Sequence, residues 1–293
     1  MHKPYPNHSQ SWGVLGIAIL TAIIFSFVML SLEKTAGKEV AFFVYYVLSM
    51  GTALILVHFL RRKMSGVKSY PLKPFPIAVV PALIIALLGL QFGITMPLAD
   101  LIPMPDALKE VFRELNEMNG VLSYITIAIA APVLEEFIFR GIVLEGLLRN
   151  YSPRKAILIS SFLFGIVHLN PWQFISAMAI GCLAGWVYYR SRNLWLPIFI
   201  HFANNSLAFL SSFFVDSDLM IDQTLVEIYG GRTNYFISIG IALTAVIVGV
   251  ILLNKQLTKF NWSAFNETNQ EHSSHIEEGT NSITQNQSIK QSQ

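Results

Sequence analysis

The chain has 293 residues, of which 53% are hydrophobic and only 13% are charged. Soluble domains carry about 25% charged residues, so a water-soluble fold could not cover its surface with so few charges. The formal net charge of +2 is too small to indicate a nucleic-acid partner, and the single cysteine, Cys182, excludes an internal disulfide and any zinc site built from cysteine pairs. The composition therefore predicts that a lipid bilayer surrounds most of the chain.

Long apolar segments recur along the chain at lengths that suit membrane-spanning helices, which need about 20 residues each. Eight candidates are predicted, at residues 12–32, 39–60, 76–98, 121–148, 155–169, 174–189, 194–214 and 235–253. The fifth and sixth are short, and Pro81 is expected to bend the third, which neighbouring helices can accommodate. We therefore predict an all-α fold, a polytopic membrane helix bundle with about eight transmembrane helices.

The loops between these segments alternate in charge. One set carries basic and no acidic residues: Arg61, Arg62, Lys63, Lys68 and Lys73, then Arg149, Arg154 and Lys155, then Arg190 and Arg192, then Lys255 and Lys259. The alternate set holds the acids: Glu33 and Glu39, then Asp100, Asp106, Glu110, Glu114 and Glu117, then Asp216, Asp218, Asp222 and Glu227. Because Lys and Arg concentrate in cytoplasmic loops, both termini are predicted to face the cytoplasm.

Two segments lie outside the predicted spans. Residues 104–118 place apolar side chains at helical spacing between charges, which predicts an amphipathic surface helix. Residues 261–293 are rich in Asn, Gln, Ser, Thr and Glu, which predicts a disordered cytoplasmic tail. The chain is therefore divided into a transmembrane domain at 1–260, with its polar motifs within 120–210, and a polar tail at 261–293.

Several polar residues lie inside the apolar segments. A charged side chain at mid-bilayer costs at least about 2.5–3.5 kcal/mol, so charges persist there where they pair or take part in chemistry. These residues are Glu135, Glu136, Arg140 and Glu145 in the fourth span, His168 at the end of the fifth, and His201, Asn204 and Asn205 in the seventh. Three helices thus bring rare polar groups into the membrane, which predicts a shared site.

Depth and helical phase divide these residues into two groups. Four of them lie roughly 14–21 Å from the basic ends of their helices, at 1.5 Å per residue: Glu135, His168, His201 and Asn205. Glu136 and Arg140 are four residues apart, which places them on one helix face as an ion pair. Glu135 is turned about 100° away from that face. We therefore predict a structural Glu136–Arg140 pair and a Glu135 carboxylate that is free for chemistry.

Each of these residues also has a plain structural interpretation. A buried Glu–Arg pair can serve helix packing, and His168 at a helix end can be an interfacial hydrogen-bonding group. Asn204 and Asn205 can bond to neighbouring helices, which is worth roughly 0.6–2 kcal/mol. The coincidence of depth and phase across three helices nevertheless favours the functional interpretation.

Three motifs at these positions resemble those of a known family. Glu135-Glu136-Phe-Ile-Phe-Arg140 matches E-E-x-x-x-R, Phe164-Gly-Ile-Val-His168 matches F-x-x-x-H, and His201-Phe-Ala-Asn-Asn205 matches H-x-x-x-N. In this order and on separate spans they look like the CPBP family (CAAX prenyl endopeptidases and bacteriocin-processing or Abi proteins) of intramembrane proteases. Gly141 directly after the arginine fits the bacterial branch, so a bacterial cell membrane is the expected location.

The resemblance implies roles for individual residues. Glu135, assisted by His168, would activate a water molecule to attack the scissile carbonyl. His201 and Asn205 would hold the developing oxyanion, and such donors gain strength where water is scarce. The Glu–Arg pair would fix the helix that carries the catalytic carboxylate.

A metal ion is a second way to activate the water. Glu135, His168 and His201 could supply a His₂Glu zinc set with an open fourth position. The chain lacks the H-E-x-x-H helix of zinc proteases, and the neutral Asn205 is a poor zinc ligand. The sequence therefore favours glutamate-activated water without a cofactor and leaves Zn²⁺ open.

The predicted function is an intramembrane endopeptidase that hydrolyses a bond in a peptide or a membrane-attached protein. The alternatives are a non-proteolytic bacteriocin-immunity or scaffold protein and a proton-coupled transporter, since intramembrane Glu and His also occur in transporters. The transporter is disfavoured because the sequence lacks paired broken helices and internal repeats. The oligomeric state is left open.

Overall fold

A computed structural model describes residues 4–214 and 222–266, except for the side chains of residues 107, 115 and 116. Within these ranges all regular structure is helical and no strand occurs, so the predicted all-α fold is confirmed. In chain order, helices α1 to α10 of these ranges are His8–Ala36, Lys38–Ser65, Ile77–Asp100, Asp106–Glu117, 121–150, Pro153–Ile166, Pro171–Ser191, Trp195–Ser211, Leu225–Ile228 and Arg232–Gln256.

Each of the eight apolar segments predicted from the sequence lies on one of these helices. Among the described residues, four helices are long and apolar enough to cross a membrane by length and composition: α1, α2, α3 and α10. The other four predicted spans lie on α5 to α8, which are shorter or carry buried polar side chains. A membrane bundle is therefore supported, while the count of eight spans stays a prediction.

Helix α5 contains two π-helical turns, at Ile125–Ala130 and Phe139–Leu144. Such turns insert an extra residue, change the direction in which side chains point, and are frequent at functional sites. The regular stretch between them, Ala131–Ile138, carries Glu135 and Glu136. The two acids of the first motif therefore lie on a short α-helical segment bounded by irregular turns.

The first π turn of α5 leaves one backbone carbonyl without a donor from its own helix. Pro132 has no N–H, so the carbonyl of Ile127 loses the donor that would continue the π-helical pattern. The side-chain amide of Asn205, on α8, donates a hydrogen bond to this carbonyl at 2.8 Å. The proline therefore creates a free acceptor inside the bundle, and Asn205 satisfies it and ties α8 to α5.

The helix ends sort into two opposite ends of the bundle. At the acidic end (residues 37–39, 100–120, 168–172 and 222–231), the Glu39 carboxylate accepts a hydrogen bond from the Gly120 N–H at 2.8 Å. At the basic end (residues 61–75, 145–153, 190–194 and 257–266), the Leu194 N–H donates to the carbonyl of Pro71 at 2.8 Å. The alternation of loop charge thus corresponds to two structural ends, and their orientation relative to the cytoplasm stays a prediction.

The amphipathic helix predicted at 104–118 forms as α4 at the acidic end. Lys109 and Arg113 each donate to the Asp222 carboxylate, at 2.9 and 3.0 Å, and Lys38 lies 3.8 Å from Glu114. The hydrogen bond from Lys109 lowers the pKa of Asp222 below its ordinary value. Ionic contacts therefore hold α4 against the ends of other helices.

The core is densest around the second half of α5. Every residue from 138 to 148 is buried, including Arg140 and Glu145. A helix that is buried on all sides needs neighbours all around it, and α6, α7 and α2 supply them here. The second half of α5 is therefore a solid centre of the bundle rather than a surface.

Glu145 is a charged group on the side of this centre that is nearest the basic end. Its carboxylate accepts hydrogen bonds or lies in ion-pair contact with four side chains from three helices: Tyr188, Arg149 (2.7 Å), Arg192 (3.0 Å) and Arg61 (3.8 Å). The three arginines balance the negative charge of this buried carboxylate, and their contacts bind α5, α2 and α7 together. Sequence reasoning noted Glu145 as an intramembrane acid and gave it no role.

The packed chain extends past the domain boundary predicted at residue 260. Trp262 is buried and donates from Nε1 to the carbonyl of Tyr189 at 2.7 Å. Phe260 and Phe265 lie 5.1 and 3.9 Å from the Arg192 guanidinium carbon. Two aromatic side chains of the polar segment, Trp262 and Phe265, thus pack with Phe260 at the basic end. Residues 267–293 of the predicted tail lie outside the described residues.

Candidate active site

A cavity of about 470 Å³ lies among helices α2, α3, α5, α7 and α8. Four residues predicted to be catalytic line it: Glu135, His168, His201 and Asn205. Glu136 and Arg140 do not line the cavity and are fully buried beside it. The structure therefore brings together the residues that the sequence placed at one depth, and separates them from the predicted ion pair.

Glu135 lines the cavity with 7% of its surface exposed. Its Oε1 accepts a hydrogen bond from the hydroxyl of Tyr46, on α2. Its Oε2 has no hydrogen-bond partner in the described part of the chain and lies 3.9 Å from Nε2 of His201. One oxygen is thus fixed and the other is free, which is the arrangement that a carboxylate needs to accept a proton from a bound water.

His168 lies just beyond the end of α6. Its Nδ1 is 2.9 Å from the carbonyl oxygen of Phe164, which can only accept, so Nδ1 carries the proton and Nε2 is left with a lone pair. The Phe164 ring meets the imidazole edge to face, with centroids 5.3 Å apart. The F-x-x-x-H motif therefore fixes both the tautomer and the orientation of this histidine.

His201 is held by the ion pair predicted from the sequence. Glu136 Oε1 lies 2.8 Å from Arg140 Nη1, as predicted, and also 3.0 Å from Nδ1 of His201. The Arg140 guanidinium lies 4.4 Å above the Phe164 ring, and the same ring packs 5.5 Å from the His201 ring. Glu136 and Arg140 thus position His201 directly, which is a closer link to the site than fixing the helix alone.

Asn205 reaches the cavity and also serves the backbone of α5. Its amide nitrogen has two N–H groups, and one of them donates to Ile127, as described above. Its Oδ1 accepts a hydrogen bond from Asn204 at 3.2 Å, which fixes which way the amide faces. One N–H of Asn205 is therefore left for a ligand in the cavity.

The predicted zinc set does not form a metal-binding group in this structure. Among the described residues, no three His, Cys, Asp or Glu side chains lie close enough together to hold one ion. The histidine tautomers alone would suit a metal, because ligating histidines donate their other N–H to a carbonyl or carboxylate. The spacing of Glu135, His168 and His201 does not suit one.

The comparisons with known proteins bear on the segment that holds these residues. Residues 117–207 match the family model "Type II CAAX prenyl endopeptidase Rce1-like". Residues 117–207 are thus similar to the Rce1-like family. This confirms the resemblance to the CPBP family, since the matched segment contains all three motifs and every cavity residue named above from α5 to α8.

Two curated proteins are similar to the chain over parts of their length. "Putative membrane peptidase YdiL" of Bacillus subtilis is 38% identical over 85 residues, which is 29% of this chain and 35% of that protein. "Uncharacterized 24.3 kDa protein" of Escherichia coli is 29% identical over 115 residues, or 37% of this chain and 52% of that protein. The chain thus matches about a third and a half of these relatives. No solved structure matches the chain.

Sequence reasoning missed Tyr46, which lies outside the Rce1-like segment. Tyr45 and Tyr46 are adjacent in an apolar helix, and nothing in the sequence distinguishes the one that reaches Glu135. It also missed the Ile127 carbonyl, because that acceptor becomes free only through the π turn before Pro132. Both contacts depend on the relative placement of helices, which the spacing of residues along one chain does not determine.

Proposed function

We propose that this protein is an intramembrane endopeptidase in which Glu135 activates water to hydrolyse a peptide bond. The observation that carries the proposal is that Oε2 of Glu135 has no hydrogen-bond partner among the described residues, while Glu135 lines a cavity together with His168, His201 and Asn205. The similarity of residues 117–207 to a protease family supports it independently of the geometry. The substrate would be a peptide or a membrane-attached protein.

The reaction begins with a water molecule between Glu135 and His168. Oε2 of Glu135 accepts a proton from this water, with Nε2 of His168 as a second acceptor, and the water oxygen forms a bond to the scissile carbonyl carbon. The C=O bond pair moves to oxygen and gives a tetrahedral oxyanion. When the C–N bond breaks, the proton held by Glu135 passes to the leaving amine, and a new carboxyl group remains on the other product.

His201 and Asn205 are the donors proposed for the oxyanion. Because Nδ1–H of His201 faces Glu136, Nε2 of His201 donates only when the ring is an imidazolium. The carboxylates that face this ring are Glu136, 3.0 Å from Nδ1, and Glu135, 3.9 Å from Nε2. The remaining N–H of Asn205 is the second donor, and preorganised donors of this kind are among the largest contributions to catalysis.

The geometry does not favour a proton-coupled transporter. Such a protein needs a path that can open to both ends of the bundle. The cavity is bounded on its basic side by residues 138–148 of α5, all of which are buried. A hydrolase needs access from one side only, and the described residues provide for that.

A peptide-library assay on detergent-purified protein tests the proposal. Wild type is expected to cleave a subset of quenched fluorescent peptides, and His168→Ala is expected to lower kcat by about 10²-fold or more, because an acceptor for the water proton is lost. His58→Ala is the matched control, because His58 is hydrogen-bonded to Tyr70 and does not line the cavity. Equal activity of His168→Ala and His58→Ala would reject the assigned role.

Chelation tests the proposed absence of a cofactor. Cleavage is expected to be unchanged after exhaustive treatment with a strong zinc chelator, followed by elemental analysis of the protein. Loss of cleavage that returns when Zn²⁺ alone is added back would show that a metal, and not Glu135 by itself, activates the water.

A further inference from the structure

Except for His201, the residues that line the cavity lie in the halves of their helices that are nearest the acidic end. Its lining includes Phe42 and Tyr46 from the start of α2, and Thr95 and Ala99 from the end of α3. The lining residues of α5 end at Glu135, and no residue from the second half of α5 contributes. The cavity is therefore not central to the bundle but displaced toward one end of it.

The opposite side of the cavity is closed by packed protein. Residues 138–148 of α5 are buried on every face, and Arg140 fills the space directly below Glu136. Further toward the basic end, Glu145 joins α5 to α2 and α7 through buried arginine and tyrosine contacts. A peptide could reach Glu135 from the basic end only if this charged centre came apart.

The mouth of the cavity is at the acidic end, where α4 lies beside it. Phe112 of α4 lines the cavity, together with the exposed residue Gln173 at the start of α7 and the exposed residue Ala208 near the end of α8. Two ionic contacts of α4 with Asp222 hold it in this place. Helix α4 therefore forms one edge of the entrance, with Phe112 as the side chain that a substrate must pass.

The entrance also carries groups that suit a polypeptide backbone. Gln173, Ser176 and Asn204 line the cavity between the mouth and the catalytic residues. Amide and hydroxyl side chains both donate and accept hydrogen bonds, as the backbone of an extended peptide requires. An entrance for a purely hydrocarbon ligand would not need them.

We propose that the substrate is a peptide segment at the acidic end of the bundle, which reaches Glu135 past Phe112. This inference rests on the proposed peptidase function and adds the side from which the substrate comes. The loop charges predict that the acidic end lies outside the cytoplasm. The substrate class is therefore a secreted peptide or an extracytoplasmic segment of a membrane protein, and not a cytoplasmic tail.

Membrane vesicles of known orientation test this inference. A quenched fluorescent peptide that the detergent-purified enzyme cleaves is coupled to dextran, so that it cannot cross the bilayer, and is added outside the vesicles. In a Cys182→Ser background, Gln223→Cys marks the exposed acidic end and Lys68→Cys marks the exposed basic end. Labelling each marker with a membrane-impermeant maleimide gives the fraction of molecules that show each end.

Cleavage before detergent is expected to be proportional to the fraction with the acidic end outside, and detergent should release the remainder. Cleavage proportional to the fraction with the basic end outside, or independent of orientation, would overturn the inference and leave the peptidase function intact. If the detergent-purified enzyme cleaves no peptide of the library, the proposed function is overturned, and this inference with it.

A matched pair of variants on α4 tests the path past Phe112. Phe112→Ala is expected to raise kcat/KM for the dextran-coupled peptide by several-fold, because a bulky side chain leaves the entrance. Val111→Ala is the control, since Val111 is exposed on the same helix and does not line the cavity. The same change in both variants, or none in either, would contradict an entrance at Phe112.

Discussion

Glu135 and Glu145 are buried acids in the two halves of helix α5, but they differ in their partners and in their access to the cavity. In the first half, Glu135 has one oxygen held by Tyr46 and one oxygen without a partner beside a cavity. In the second half, Glu145 is surrounded by three arginines and a tyrosine, and it does not line the cavity. Partner count and access thus distinguish a carboxylate that can react from one that holds helices together.

The difference also explains why Glu136 is easily misassigned. It is adjacent to Glu135 and equally intramembrane, yet its Oε1 is occupied by Arg140 and by His201. It therefore resembles Glu145 in being paired, and resembles Glu135 in touching a residue that lines the cavity. We describe it as a positioning residue.

The largest expected effect concerns the second half of α5. Glu145→Ala leaves three arginines without their common counter-charge, and breaking a buried pair in this way costs about 3–5 kcal/mol. We expect a large fall in the thermal unfolding temperature in detergent. Glu117→Ala, which changes an exposed acid at the other end, should leave the unfolding temperature nearly unchanged. Equal stability of the two variants would remove the contrast between the two halves of α5.

Asn205→Ala is expected to affect both stability and activity. The Ile127 carbonyl would lose its donor, which costs about 1–3 kcal/mol for a buried group. Loss of an oxyanion donor should in addition lower kcat by about 10²–10³-fold. Kinetics and thermal unfolding on the same preparation separate the two. A destabilised enzyme whose folded fraction keeps full kcat would show that Asn205 serves the backbone of α5 alone.

Tyr46→Phe tests whether Tyr46 positions the reactive carboxylate. We expect kcat to fall roughly 10- to 100-fold, the range for a lost hydrogen bond to a charged group. Tyr45→Phe, at the neighbouring position outside the cavity lining, is the control. Equal kcat in the two variants would show that the hydroxyl of Tyr46 does not position the carboxylate.

The helices and the four cavity residues could be predicted because their signals are local. Apolar length indicates a span, and a charge inside a span is rare enough to be informative. The contacts that complete the site are not local. Tyr46 and Glu135 are 89 residues apart, and the Ile127 acceptor depends on a π turn that the four-residue spacing of a regular helix does not anticipate.

The boundary of the packed domain could not be read from composition for a similar reason. Trp262 and Phe265 are apolar exceptions in a polar segment. They attach it to the bundle through contacts with residues far away in the sequence, the carbonyl of Tyr189 and the guanidinium of Arg192. Averages over a segment predict solvation, whereas a few aromatic side chains suffice to attach it to the basic end. Residues 267–293 are the part of that prediction that is still untested.

The most direct test of the account is Glu135→Gln, which keeps the size of the side chain and an acceptor for Tyr46 and removes only the base. Cleavage of a library-derived peptide and thermal unfolding should be measured in parallel. The account predicts a fall in kcat of about 10²–10⁴-fold with an unfolding temperature close to that of the wild type. Cleavage at the wild-type rate by correctly folded Glu135→Gln protein would contradict it.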